Sequence, residues 1–260
     1  MLRLAAALLF TAAAAAQAAA PVETSAGELP VILTAPHGGV ESLPGCDERT
    51  PVGTRFVTGP DAHTDRLARL IAAELRQITG RAPYLVIARF HRKYIDANRR
   101  PEEAYGDPGC AAAYAAYHAA VRGHIDDIRG KYPHAMLFDV HGQIAYRNAI
   151  LRGTRYGRTV QALLARAGAA AINGPDSVFG RFAALGYNIV PGNNNAPTDP
   201  VEAKNYIGGH TVEIYGSHRS DGIDAMQLEY GRDLREGAAL EATARDSARA
   251  IAAFYERFLK

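Results

Sequence analysis

Apolar and polar stretches alternate along this chain in a way that predicts strands and helices in turn. Residues 30–35 (PVILTA) form a short apolar run that stops at Pro36, the signature of a buried strand. A loop of about 25 residues, rich in Gly, Pro and Thr, follows as far as Pro60; loops of that length inside a domain are usually functional. From Asp61 on, Leu67, Leu70, Ile71, Leu75 and Ile78 recur at helical spacing, and Gly80 closes the pattern. Residues 83–90 (PYLVIARF) read as a second strand, 111–130 as an alanine-rich helix, and 135–140 (AMLFDV) as a third strand. Beyond them the pattern predicts a short strand at 148–151, helices over 158–170 and 176–185, and a loop containing PGNNNAPTDP. Strands at 211–215 and 225–230 and a closing helix over 236–259 complete the series. Such alternation implies a three-layer α/β domain with a mixed, mostly parallel sheet. Ligands of these sheets gather beyond the carboxyl ends of the strands. Three polar motifs fall there: Pro36-His37, residues 89–99, and His141.

The first 20 residues stand apart from this pattern. Arg3 precedes an apolar, alanine-rich run and then small residues up to Ala20 and Pro21, as in a secretory signal peptide cleaved after Ala18 or Ala20. The run is too short and too alanine-rich to anchor in a bilayer core of about 30 Å. The expectation is a single domain over 21–260, periplasmic or secreted, with no stable membrane insertion after cleavage. Cations and anions nearly balance, 29 Lys and Arg against 27 Asp and Glu, without a basic stripe, so no nucleic-acid partner is expected. The two cysteines, Cys46 and Cys110, lie in turn-rich settings. In an exported chain an even count favours a disulfide. It would pin the long loop after the first strand to the entrance of the 111–130 helix.

Two histidines follow predicted strands and each adjoins glycine: His37 in PHGG and His141 in DVHG. Imidazole is a common ligand of borderline metals, and a catalytic zinc wants three protein ligands and an open position. Asp61, Glu41 and His63 are candidates for the third ligand, with Asp61 first and Glu41 second; Asp61 could equally cap the helix it precedes. Asp139 shares a strand face with His141 and could orient its ring. Glu229 is an acid inside a strand-like run, where an unpaired carboxylate is costly. It is the leading general base, and Glu213 is its competitor. Arg89, Arg92, Asn98 and Arg99 crowd one loop. A guanidinium fork matches a carboxylate with two parallel hydrogen bonds, which makes Arg99, beside Asn98, the leading anchor for a substrate carboxylate. Arg92 is a candidate to polarise a scissile carbonyl, and Asp96 to hold an arginine in place.

These residues spell a recognisable series: PHGG at 36–39, Asp61-Ala62-His63, RFHRKYIDANR at 89–99, Asp139-Val140-His141-Gly142, Gly208-Gly209 and Gln227-Leu228-Glu229. In this order the chain resembles the N-formylglutamate amidohydrolase family, a relative of the zinc carboxypeptidases and of the succinylglutamate desuccinylase and aspartoacylase group. The resemblance implies a phosphorylase/hydrolase-like α/β fold with one zinc ion at His37, His141 and a carboxylate matching Asp61. It also implies Glu229 as the catalytic glutamate and Asn98-Arg99 as a carboxylate clamp. His210 stands where the family carries a tyrosine, on the substrate side. The expected activity is zinc-dependent hydrolysis of the amide of a small N-acyl amino acid with a free carboxylate. The alternatives are an exported metallocarboxypeptidase or amidase acting on peptides or cell-wall fragments, and a non-catalytic ligand-binding protein on the same fold.

Overall fold

The computed structural model describes residues 20–51, 56–192 and 202–260, so all but the last residue of the predicted leader and most of the PGNNNAPTDP loop lie outside the described residues. In chain order the elements are β1 Val22–Ser25, β2 Val31–Ala35, α1 Thr64–Thr79, β3 Tyr84–Ala88, α2 Pro101–Ala104, α3 Ala111–Lys131, β4 Met136–Gln143 and β5 Ala149–Gly153. They continue with α4 Gln161–Ala167, α5 Ala170–Asn173, α6 Val178–Ala184, β6 Asn188–Val190, α7 His210–Tyr215, β7 Asp224–Gly231 and α8 Gly237–Phe258.

The strands form one seven-stranded sheet in the order β1-β3-β2-β4-β7-β5-β6. Its four central strands, β3, β2, β4 and β7, run parallel. β1 is antiparallel to β3, and β5 is antiparallel to β7. The sheet is thus mixed and mostly parallel, an α/β fold as the alternation predicts.

Side-chain alternation along the strands assigns one core to each face. Val31, Leu33, Met136, Phe138, Val140, Met226, Leu228 and Tyr230 pack under α1, α6 and α8. Ile32, Tyr84, Val86, Leu137 and Ala225 pack under α3 and α7. The chain leaves β2 for β3 on one side through α1, then returns to β4 on the other side of β2 through α3. Crossovers of one hand laid in opposite directions put their helices on opposite faces. The carboxyl ends of β2 and β4 therefore splay apart in chain direction, which opens a crevice between them.

Three departures from the sequence reading have physical causes. Residues 211–215, expected as a strand from their β-branched side chains, form the short helix α7. The Asn98 side-chain oxygen accepts from the Thr211 N–H at 2.7 Å, satisfying a donor that the helix cannot satisfy itself. Tertiary capping overrides local propensity here. The expected 158–170 helix is broken at Gly168, whose φ of 71° ends α4. Asp61 does not cap α1: the helix begins at Thr64 behind His63, and the Asp61 side chain turns elsewhere. The Cys46–Cys110 disulfide is present, with Cα atoms 4.8 Å apart, and it ties the loop after β2 to the start of α3. Among the described residues no helix is long and apolar enough to cross a membrane.

Candidate metal centre

The chain leaving β2 must pass close to two neighbours. A Cβ on Gly38 would lie 2.3 Å from the Asp65 nitrogen, and one on Gly39 would lie 2.4 Å from the Arg89 carbonyl carbon. The glycine pair lets His37 sit in the crevice against the starts of α1 and of the 89–99 segment. His141 reaches the same point from inside β4, on the face that carries Leu137 lower down.

The two rings meet edge to face, their centroids 4.8 Å apart. Both Nδ1 atoms point at one oxygen: Asp61 Oδ2 lies 3.3 Å from that of His37 and 3.2 Å from that of His141. Each Nε2 is engaged by a buried carboxylate, Asp96 at 2.6 Å for His37 and Asp139 at 2.8 Å for His141. Held in this way, a neutral ring donates from Nε2 to the carboxylate behind it and turns its Nδ1 lone pair toward the Asp61 side. Donor atoms of His37, Asp61 and His141 all lie within 4.8 Å of one another, so this group could hold a metal ion.

The supporting carboxylates are held in turn. Asp139 accepts from the Thr34 hydroxyl at 2.6 Å. Asp96 accepts from the Asn98 backbone N–H at 3.0 Å and from Arg92 Nε and Nη2 at 3.0 and 2.8 Å. Arg92 Nη1 also reaches Asp61 Oδ1 at 3.3 Å, and the Gly142 N–H donates to Asp61 Oδ2 at 3.1 Å. Arg92 thus spans two carboxylates instead of standing free in the cavity.

Charge follows this geometry. Burial works to raise the pKa values of Asp61 and Asp96, yet the facing His37, joined for each by Arg92, holds both well below the usual carboxylate range. Burial works to lower the His141 pKa, and the Asp139 charge and hydrogen bond carry it well above the ordinary imidazole value. Glu229 lies beside His141 in the parallel β4–β7 register. Its Oε1 accepts from Gln227 Nε2 at 2.7 Å, while Oε2 is buried with no hydrogen-bond partner among the described residues. Burial pushes its pKa up to about 7 against the opposing His141 and Arg92 charges. A buried carboxylate oxygen without a donor, next to a converging imidazole–carboxylate set, is the arrangement a cation and a proton-bearing ligand would complete.

A cavity of about 1130 Å³ opens over these groups, and His37, Asp61, Arg92, Asn98, Arg99, His141, His210 and Glu229 all line it. Arg99 donates to the Asn98 carbonyl at 2.9 Å, and among the described residues no carboxylate lies within ion-pair reach of it. His210 starts α7; burial and then the Arg100 and Arg99 charges push its pKa down to about 4, so it is neutral at pH 7. Arg89 is placed elsewhere: it is no part of the cavity wall, and its guanidinium pairs with Glu41 at 2.5 Å. Glu41 is thereby removed from the donor set, and His63 is exposed at the start of α1. Glu213 sits on α7 at the cavity wall, in ion pairs with Arg155 at 2.8 Å and Arg158 at 3.3 Å.

Several partners escape a reading of the sequence. Asp96 is read there only as an arginine holder, yet it also fixes the His37 ring. Thr34 carries no signal at all, being one threonine in a buried apolar strand. Gln227 could be found by parity, two residues before Glu229 on one strand face.

No protein-family model and no curated protein sequence matches the chain. Solved structures do. An N-formylglutamate amidohydrolase from Ralstonia eutropha JMP134 superposes with a TM-score of 0.65 at 16% identity, covering 92% of this chain and 99% of its own. The gene product Atu2144 from Agrobacterium tumefaciens gives 0.55 at 17% identity, over 91% and 92%. The resemblance drawn from the motifs therefore meets a solved structure of that name with the same fold.

Proposed function

We propose that this protein is a metal-dependent amidohydrolase that holds one zinc ion at His37, Asp61 and His141 and cleaves the amide of an N-acyl amino acid bearing a free carboxylate. The observation that carries the reading is the pair of Nδ1 atoms facing one Asp61 oxygen, each ring locked from behind by a carboxylate. Two imidazoles and one carboxylate form a donor set suited to a catalytic zinc with an open position. The fold shared with an N-formylglutamate amidohydrolase supports the same chemistry. Bound there, zinc supplies Lewis acidity to water and to the scissile carbonyl.

The remaining work falls to the chain's own side chains. Glu229 Oε2, free of protein donors, accepts a proton from the attacking water and hands it to the leaving amine. Asn98 and Arg99 bind the substrate carboxylate, with neutral His210 beside them as a hydrogen-bonding wall. Arg92 keeps Asp61 and Asp96 in place, and only its uncommitted N–H groups are left to polarise the carbonyl. Export to the periplasm or medium belongs to the proposal, supported by the leader-like first 20 residues and by a disulfide, which persists in oxidising compartments.

The cavity favours a second reading within the same chemistry. At about 1130 Å³ it exceeds the roughly 300–1,000 Å³ typical of small-molecule sites, which suits a peptide end or cell-wall fragment as well as a single N-acyl amino acid. Glu229→Gln is expected to retain zinc and to lose turnover by about 10²–10⁴-fold, whereas His141→Ala should lose the metal. Wild-type turnover by Glu229→Gln would remove Glu229 as the base. Assaying N-formylglutamate and short peptides side by side separates the two substrate classes.

A further inference from the structure

Arg235 is a buried cation in the wall of the same cavity, and neither its sequence setting nor the proposed chemistry assigns it a role. Its guanidinium meets no carboxylate within ion-pair distance among the described residues. Three backbone carbonyls hold it instead. Nε donates to Tyr230 O at 3.0 Å, Nη2 to Gln143 O at 3.4 Å, and Nη1 to Ala62 O. Tyr230 and Gln143 belong to the carboxyl ends of the paired strands β7 and β4, and Ala62 adjoins Asp61.

Two further features converge on this lattice. The guanidinium packs over Gly142, where a Cβ would lie only 2.4 Å from Arg235 Cζ. The Gly142 N–H is itself the donor to Asp61 Oδ2. His63, next to Ala62, has a φ of 66°, a left-handed conformation that a side chain other than glycine adopts only when its surroundings impose it. The turn that delivers Asp61 is therefore strained, and the bond from Arg235 to Ala62 O holds it against the strand ends that carry His141 and Glu229.

We propose that Arg235 is a positioning residue of the metal centre, lacing the Asp61 turn to the ends of β4 and β7 and so setting the place of the Asp61 carboxylate relative to His141. A lysine cannot do this, because the three carbonyls lie in the different directions of one planar fork. The inference rests on the zinc site proposed above.

The test compares wild type, Arg235→Lys, Arg235→Met, Gly142→Ala and the Arg235→Met/Gly142→Ala double variant. Zinc affinity is read by competition with a chromogenic chelator, and the visible spectrum of the Co²⁺-loaded proteins reports ligand geometry. Both Arg235 variants are expected to bind zinc about 10–100-fold more weakly and to shift the Co²⁺ bands. Gly142→Ala, which displaces the guanidinium, should reproduce the effect, and the double variant should be no worse than the stronger single one. Wild-type zinc affinity and an unchanged Co²⁺ spectrum in Arg235→Lys and Arg235→Met would overturn the role, as would losses that simply add in the double variant. If the wild-type chain binds no zinc, the proposed function fails and this inference with it. Normal zinc binding across the whole series sinks the inference alone.

Discussion

The two faces of β4 and β7 follow one alternating rule to different ends. Under α1 and α8 the face is apolar over most of its length: Met136, Phe138 and Val140 on β4, and Met226, Leu228 and Tyr230 on β7, with Asp224 the buried polar exception at the start of β7. Toward α3 and α7 it starts apolar, with Leu137 and Ala225, then turns polar through Asp139, His141, Gln227 and Glu229 as the strands approach their carboxyl ends. All of these side chains are buried, so burial does not distinguish the faces. The difference lies in what most buried groups meet: carbon on one side, polar side chains of the candidate centre on the other. One face holds the sheet together, and the other spends the rigidity so gained on aligning donors.

Substitutions that separate stability from metal binding test this division. Phe138, fully buried and edge-on to Phe254 with ring centroids 6.0 Å apart, belongs to the apolar face. Phe138→Ala is expected to lower stability by about 3–5 kcal/mol while the folded fraction keeps wild-type zinc affinity. Denaturant unfolding and a chelator titration measure the two effects, and a large fall in affinity would erase the contrast.

Reduction of Cys46–Cys110, which closes a sequence separation of 64 residues, should cost about 2–5 kcal/mol. Unfolding curves with and without reductant would show it, and coincident curves would leave the bridge without energetic weight.

Asp139→Asn attacks the polar face. It removes the negative charge and leaves one acceptor oxygen for two donors, the Thr34 hydroxyl and His141 Nε2–H, and zinc affinity should fall about 10–100-fold. Unchanged affinity would mean that Thr34 and Asp139 do not orient the ring.

The smallest expected effect is acid sensitivity. Burial and then the neighbouring His210 push the His118 pKa down to about 4, from an ordinary 6.5 that the unfolded chain retains. The unfolded state then binds the proton more readily, so stability is unaffected above pH 6.5 and declines as pH falls toward 4. His118→Gln should flatten that decline by about 1–2 kcal/mol, and an acid limb identical to wild type would rule the residue out.

The sequence made the ends of β2 and β4 readable, because a short apolar run followed by His-Gly is a local signal that needs no partner. The 89–99 string was readable for the same reason: its charges interrupt a strand-to-helix transition at the ligand edge. Asp61 was open between a helix cap and a ligand, since either role places an acid before α1, and only tertiary geometry separates them. Residues 211–215 misled because the cap that makes α7 helical comes from Asn98, more than a hundred positions away. Thr34 and Arg235 were illegible for a related reason. One bonds a side chain and the other bonds backbone carbonyls in distant segments, and neither contact leaves a trace in local composition.

The register of β4 against β7 makes the centre a matter of odd and even. His141 and Glu229 stand opposite each other because each lies the same, even number of residues beyond the paired Leu137 and Ala225. An insertion of one residue between 137 and 141 would turn the imidazole into the hydrocarbon under α8, whereas an insertion of two would restore its direction at a different height. A change of length along these strands therefore displaces every later side chain at once, whereas the loops at the rim can lengthen without disturbing that parity.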